Sequence, residues 1–367
     1  MIENQLCITG IGTVSPFGPL QGLIARREIQ PRMVNAWPVE GVRRAFLVEP
    51  FRPADVVPGL KTRRLDRLSV WCLVAAALAV RDARLNLEAL DLEAEERSRI
   101  AVVLGTGFGC VELTESFFQG VCTYGYAQAD PIIFPESLHN APSSHVARIL
   151  GLRGPNITLT HKGMSGEGAL IQASALLRTG QADAVIVLAG DTLTRPIYEW
   201  LEAASVLSKS CFGATAPPQP FAPERDGFVP GEGVAAVVME SGRRAMARGA
   251  PIYAVFRAGF SSSNPEAAAS VIRKALSAST PDEVGMVIAS ANGSRLLDDL
   301  ERATLRKVFG DSTPIVTPKT VLGEFDGSGI LRLVIALSWV KSKLPPLVLL
   351  LATSPGGACA AISCELR

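Results

Sequence analysis

Residues 156–177 read NITLTHKGMSGEGALIQASALL. The run NITLT is extended in character, HKGMSG is a turn of small and polar residues, and EGALIQASALL has the apolar spacing of a helix. A strand that ends in a tight turn and opens a helix is a common mount for a nucleophile. The helix N-terminus offers free backbone N–H groups and partial positive charge. The centre of this turn is Gly163, which carries no side chain.

The same order recurs at 313–340, TPIVTPKTVLGEFDGSGILRLVIALSWV: a strand, a Gly/Ser turn, an apolar helix. Working outward, the first half reads as the strand QLCITGIG, the helix RLDRLSVWCLVAAALAVRDA, the strand RIAVVLGTGFG, a helix near SSHVARILG, the segment above and the strand DAVIVLAGD. Two further strands are expected around residue 240, ending in VAAVVME. The second half repeats this with PIYAVFRAGFSSS, PEAAASVIRKALSAS, EVGMVIASANGS, the helix ILRLVIALSWVKS and two closing strands in PLVLLLATSPGGACAAISCEL. Alternating β and α segments predict a layered α/β protein, and the duplication predicts two similar halves whose sheets stack with helices between and outside them.

With 367 residues, 48% apolar and 19% charged, the chain has material for a large core. A net charge of +1 with dispersed Lys and Arg argues against nucleic-acid or anionic-membrane binding. The longest apolar run, Val70 to Val80, is too short to span a bilayer. Seven scattered cysteines without a CxxC pair support neither a disulfide framework nor a zinc site, so a cytoplasmic setting with no metal or cofactor is expected.

GIGTVSPFG (10–18) and GTGFG (105–109) resemble dinucleotide turns only loosely, because Ser15 stands at the third glycine. The three histidines, His139, His145 and His161, all lie in the first half, so no mechanism can draw histidines from both halves. His161 and Ser165 lack a supporting acid for a hydrolase triad. Asp298 with Asp299, and Glu324 with Asp326, read as solvated loop acids more readily than as catalytic pairs.

ITGIGTVSPFG, KTRRLDRLS, NAPSSHVARILGLRGPNITLT and PFAPERDGFVPGEGVAAVVMES, in this order along the chain, closely resemble the β-ketoacyl synthases of fatty acid and polyketide assembly. The resemblance implies the thiolase fold: two βαβαβαββ halves, at 1–241 and 242–367, in an αβαβα stack, with interface insertions at 106–150. It also implies specific losses. Gly163 falls on the catalytic Cys of T-A-C-x-S-G, Asn292 on the first catalytic His, and Glu324 on the second, while Lys319 is kept. Pro355 falls on the Phe of G-F-G-G whose backbone N–H completes the oxyanion hole, and proline has no N–H.

A ketosynthase-like chain without these groups is similar to the chain length factors of type II polyketide synthases. Such subunits do no condensation themselves and pair with an active ketosynthase that works on acyl carrier protein. The resemblance then assigns Asn156, Ile157, Thr158, Leu159 and Thr160 to the strand that pairs across the subunit boundary. Phe108, Val111 and Glu115 become candidate walls of the polyketide tunnel, and an aromatic polyketide is favoured over an aryl polyene. The competing readings are an acyltransferase or decarboxylase using Lys162, Ser165 or Glu324, and a homodimeric scaffold that binds acyl chains.

Overall fold

The computed structural model describes residues 2–22, 33–37, 41–87, 94–213, 216–310, 314–339 and 346–367. The first half contributes β1 (Leu6–Ser15), β2 (Ile100–Gly105), β3 (Asn156–Leu159), β4 (Ala184–Asp191) and β5 (Gly233–Ser241). The second contributes β6 (Ala254–Ser262), β7 (Val284–Ile288), β8 (Ile315–Val316), β9 (Leu347–Thr353) and β10 (Cys359–Leu366). They line up as β8-β7-β9-β10-β6-β1-β5-β4-β2-β3, and Gly18–Gln21 folds back on β1 as an eleventh strand. Read outward from the β1–β6 seam, each wing has the same sequence of strands, so the duplication read from the chain is a duplication of topology. The seam is antiparallel and short, running from Leu6↔Phe256 to Ile8↔Ala254.

Helices fill three layers. On the outer face of the first wing lie α1 (Arg67–Asp82) and α3 (Ala141–Ile149), where Leu68, Val74 and Val146 pack on Val102, Leu104 and Ile186. Between the wings lie α4 (Ser165–Arg178) and α9 (Gly329–Trp339), with Leu170, Ala173, Ile330 and Val334 against Val103, Val187, Ile288 and Leu350. Outside the second wing, α6 (Ala268–Leu276) and α7 (Arg295–Phe309) set Val271, Ile272 and Leu305 on Val287 and Leu349. The strands alternate strictly: Val102 faces out and Val103 in, Val287 out and Ile288 in. Both faces are covered, which is why these strands read as unbroken apolar runs. Three further helices complete the elements used below: α2 (Val111–Tyr124) between α1 and α3, α5 (Arg195–Ala203) after β4, and α8 (Lys319–Leu322) before α9.

The two central helices meet at their N-termini. A Cβ on Gly166 would sit 2.9 Å from the backbone of Gly329, so only glycine permits this approach. It brings the turn holding Gly163 beside the loop holding Glu324 and Asp326.

Some details differ from the expectations. One strand, β5, is present where two were expected around residue 240, and the segment that follows it, Gly242–Ala247, is a short helix. Helix α7 is not among the expected elements; its inward side carries Asp298 and Glu301 as well as Leu305. The predicted helix from Ile330 is present to Trp339, and its expected last residues lie outside the described ones. No described helix is long and apolar enough to cross a membrane.

Candidate functional site

Between β3 and α4 the chain makes a short 3-10 turn, Lys162–Met164. Ser165 Oγ accepts from the His161 N–H at 3.0 Å and lies 2.7 Å from the Lys162 carbonyl and 3.0 Å from that of Thr106. This hydroxyl is committed to holding the turn. His161 is exposed and its ring lies beside Gly168, while His145 is engaged elsewhere, 2.5 Å from Glu136 Oε2 and 3.0 Å from Arg148.

Gly163 is not crowded. A Cβ there would stand 3.8 Å from the Thr353 carbonyl oxygen, 3.9 Å from Ser354 Cα and 4.0 Å from Asp326 Oδ1, all ordinary contacts. Its φ is not in the left-handed region; that of Lys162 is, at 52°. Thus backbone geometry does not require glycine at 163. Pro355 follows Ser354 in the β9–β10 turn, where Ser354 N–H donates to the Ala358 carbonyl at 2.8 Å.

The second-half residues converge on the same place. Glu324 accepts from Lys319 Nζ at 2.9 and 2.7 Å through its two oxygens, and from Asn292 Nδ2 at 2.6 Å. Lys319 is almost wholly enclosed, with 4% of its side chain exposed. Asn292 is held in turn: its Oδ1 accepts from Ser294 N–H at 2.8 Å, and its N–H donates to Asp298 Oδ1 at 3.0 Å. Asp298 also accepts from the N–H groups of Gly293 and Phe221, so this acid is a fully buried fastener. Asp299 pairs with Arg225. The expectation of solvated loop acids is therefore met by neither Asp298 nor Glu324.

Asp326, expected to be a solvated loop acid, is instead largely enclosed at the site. Its carboxylate faces the space at Gly163 and sits under Gly107. Burial, reinforced by the neighbouring acids Asp191 and Glu324, pushes its pKa up to about 7. Across from it, Asp191 gathers Thr106 Oγ1 at 2.6 Å and the N–H groups of Gly107, Phe108 and Gly327 at 2.9, 3.0 and 2.7 Å. One carboxyl thereby joins the loop before α2 to the loop before α9. Phe108 is half-buried, and the Lys162 ammonium stands 4.7 Å from its ring centroid and 3.5 Å from the Gly107 carbonyl. Val111 and Glu115 follow on α2, both partly exposed, with Glu115 accepting from Gln119 at 3.5 Å.

Behind the site Glu167 of α4 and Arg332 of α9 form an ion pair with neither side chain exposed. Arg332 also donates to the carbonyls of Ala289 at 3.0 Å and Leu351 at 2.7 Å. Nothing in the apolar runs that contain these residues announces the pair. Burial raises the Glu167 pKa against the opposing pull of Arg332.

Beside the site lies an unpaired sheet edge. Among the described strands β3 pairs with β2 alone, and Asn156 and Thr160 are exposed. The 111–140 segment presents Phe118, Tyr124, Tyr126, Ile132 and Phe134 to solvent, Tyr126 at 87% exposure. Phe117 stacks edgewise on Phe118 and at a tilt on Phe134. Contiguous aromatic exposure of this kind marks an interaction surface. No group of three His, Cys, Asp or Glu side chains among the described residues is arranged to hold a metal ion.

Residues 25–245 match the family model of the Beta-ketoacyl synthase N-terminal domain, and residues 245–350 that of its C-terminal domain. Over 335 residues the chain is 28% identical to the chloroplastic 3-oxoacyl-[acyl-carrier-protein] synthase I of Arabidopsis thaliana, covering 85% of this chain and 70% of that protein. Among solved structures, the ishigamide ketosynthase/chain length factor superposes with a TM-score of 0.87 at 21% identity, covering all of both chains. A type II polyketide synthase acyl-carrier protein in complex with its ketosynthase bound to the hexaketide gives 0.81 at 20% identity, again over both whole chains. These two likenesses concern the fold. With its duplicated wings, its two facing turns and family matches spanning most of its length, the chain belongs to the β-ketoacyl synthase family of the thiolase superfamily.

Proposed function

We propose that this chain is the non-catalytic, chain-length-setting subunit of a type II polyketide ketosynthase, paired with an active ketosynthase. The observation that carries this reading is the closed network at Glu324. Its carboxylate is occupied by Lys319 and Asn292, the facing turn has no side chain at Gly163, and Pro355 has no N–H to offer. Condensation needs a thiolate, donors to polarise the malonyl group and an oxyanion hole. On this reading Gly163, Asn292, Glu324 and Pro355 are the degenerate positions, and Lys319 has changed from a partner of catalytic groups to the counter-charge of Glu324.

Dimer formation is supported by the edge strand Asn156–Thr160 and the aromatic surface of 111–140. An unpaired sheet edge and a set of exposed aromatics are both features that another chain ordinarily covers. The division at 1–241 and 242–367, with the 106–150 insertions at the interface, belongs to the same reading. Phe108, Val111 and Glu115 then line the channel into which the growing chain extends, with an aromatic polyketide as the product class.

Co-expression with a Cys-containing ketosynthase tests the proposal. A one-to-one complex whose product length changes on replacing Phe108 with Ala or Trp supports it. A stable homodimer that ignores the ketosynthase, or a covalent acyl adduct on the isolated chain after incubation with acyl- or malonyl-carrier protein, would overturn it.

A further inference from the structure

Lys162 is the one non-glycine residue of the site turn in the left-handed region, with φ 52°. A lysine there costs about 1 kcal/mol relative to glycine or asparagine, and strain of this kind is kept where the side chain has a task. Its ammonium lies on the face of the Phe108 ring, 4.7 Å from the centroid, with a single carbonyl contact at 3.5 Å to Gly107. The residue is exposed, close in the chain to exposed Thr160, which follows β3. Asp326, the nearby acid, has no hydrogen bond to it. Two of the three ammonium donors are therefore left to solvent. Any chain that packs on β3 and on the 111–140 surface takes that solvent away.

From these contacts we infer that Lys162 selects what passes over Phe108: an acyl chain bearing keto or enolate oxygens, in preference to a saturated one. This rests on the reading that Phe108 lines the channel of a heterodimer. An ammonium enclosed against methylenes loses its water without replacement, whereas a carbonyl or enolate oxygen accepts one of its free N–H donors. A site built to donate a hydrogen bond discriminates strongly against the analogue that lacks the acceptor. The ring beneath holds the ammonium in place by cation–π attraction while leaving its outward donors free.

The experiment uses the complex with a Cys-containing ketosynthase and measures competition between two probes, a 3,5-dioxoacyl pantetheine thioester and the saturated thioester of equal carbon number. Replacing Lys162 with Met should lower the preference for the dioxo probe by about tenfold, the worth of one charge-assisted hydrogen bond. Lys162→Arg should retain that preference, and Lys162→Leu provides a second uncharged variant without an N–H donor if Met impairs assembly. A probe ratio that stays within about twofold in both uncharged variants, in a complex that still responds to Phe108, overturns the selection role and leaves the heterodimer reading intact. Failure of any complex to form overturns both.

Discussion

Replacing Gly163 with Cys puts back the missing side chain and asks what the surroundings would make of it. The Cβ meets its neighbours at 3.8–4.0 Å, so the variant should fold with a stability change within about 0.5 kcal/mol. The new sulfur, however, faces Asp326, whose Oδ1 is 4.0 Å from the Cβ position. Taking a charge separation of about 5 Å and an effective dielectric of about 20, a thiolate beside an ionised Asp326 is disfavoured by about 3 kcal/mol. The open side at Lys162 admits solvent and reduces this by about half, leaving a rise of roughly one pKa unit. The helix N-terminus of α4 acts in the opposite direction but equally in both proteins to be compared. The measurement is the pH dependence of iodoacetamide labelling at residue 163, by peptide mass spectrometry in a Cys122→Ser background, for Gly163→Cys and Gly163→Cys/Asp326→Asn. The single variant should titrate about one unit higher than the double, and neither should form a β-ketoacyl product from acyl- and malonyl-carrier protein. Coincident titration curves would refute the placement of Asp326 against the empty position. Condensing activity in the single variant would refute the account of Glu324 and Pro355.

Three further outcomes follow from the same geometry. Arg332→Met leaves Glu167 buried without its partner and should cost about 3–5 kcal/mol in urea unfolding, whereas Glu167→Met/Arg332→Met should recover most of the loss. Asp326 and Glu301 both have folded pKa values raised to about 7 from 3.8 and 4.5, so the folded state holds protons that the unfolded chain releases. Stability should therefore fall as pH rises from about 4 to 7, and Asp326→Asn should flatten part of that slope and be the more stable protein at pH 8 by urea unfolding. Tyr124→Asp with Tyr126→Asp changes only exposed side chains and should leave the melting temperature of the isolated chain nearly unchanged, while weakening association with a ketosynthase by tenfold or more in sedimentation.

The strand-turn-helix at 156–177 and its repeat at 313–340 were legible because local periodicity and small-residue turns encode them directly. The β strands were legible for the related reason that both faces are covered, which turns them into apolar runs. What stayed hidden depends on distance along the chain. Arg332 sits in ILRLVIALSW, where a lone charge looks like a surface residue, and only the fold supplies Glu167 to bury it against. Asp326 reads as a loop acid until Gly107 and the β9–β10 turn close over it. In helix α7 the acids Asp298 and Glu301 look like surface charges in sequence, and only the fold brings them the N–H groups of Asn292 and Ser290. The three separate positions Lys319, Asn292 and Glu324 could be named from the resemblance to β-ketoacyl synthases, yet their union in one hydrogen-bonded group is a property of the folded chain.

Asp191 has a mechanical consequence. Its carboxyl holds the backbone of Gly107 and Phe108 from one wing and of Gly327 from the other, like a rivet through two plates. The plates cannot part at that point without exposing a buried acid and four donors. A hinge opening between the wings at this point would have to break the hydrogen bond from Gly327 N–H that spans them.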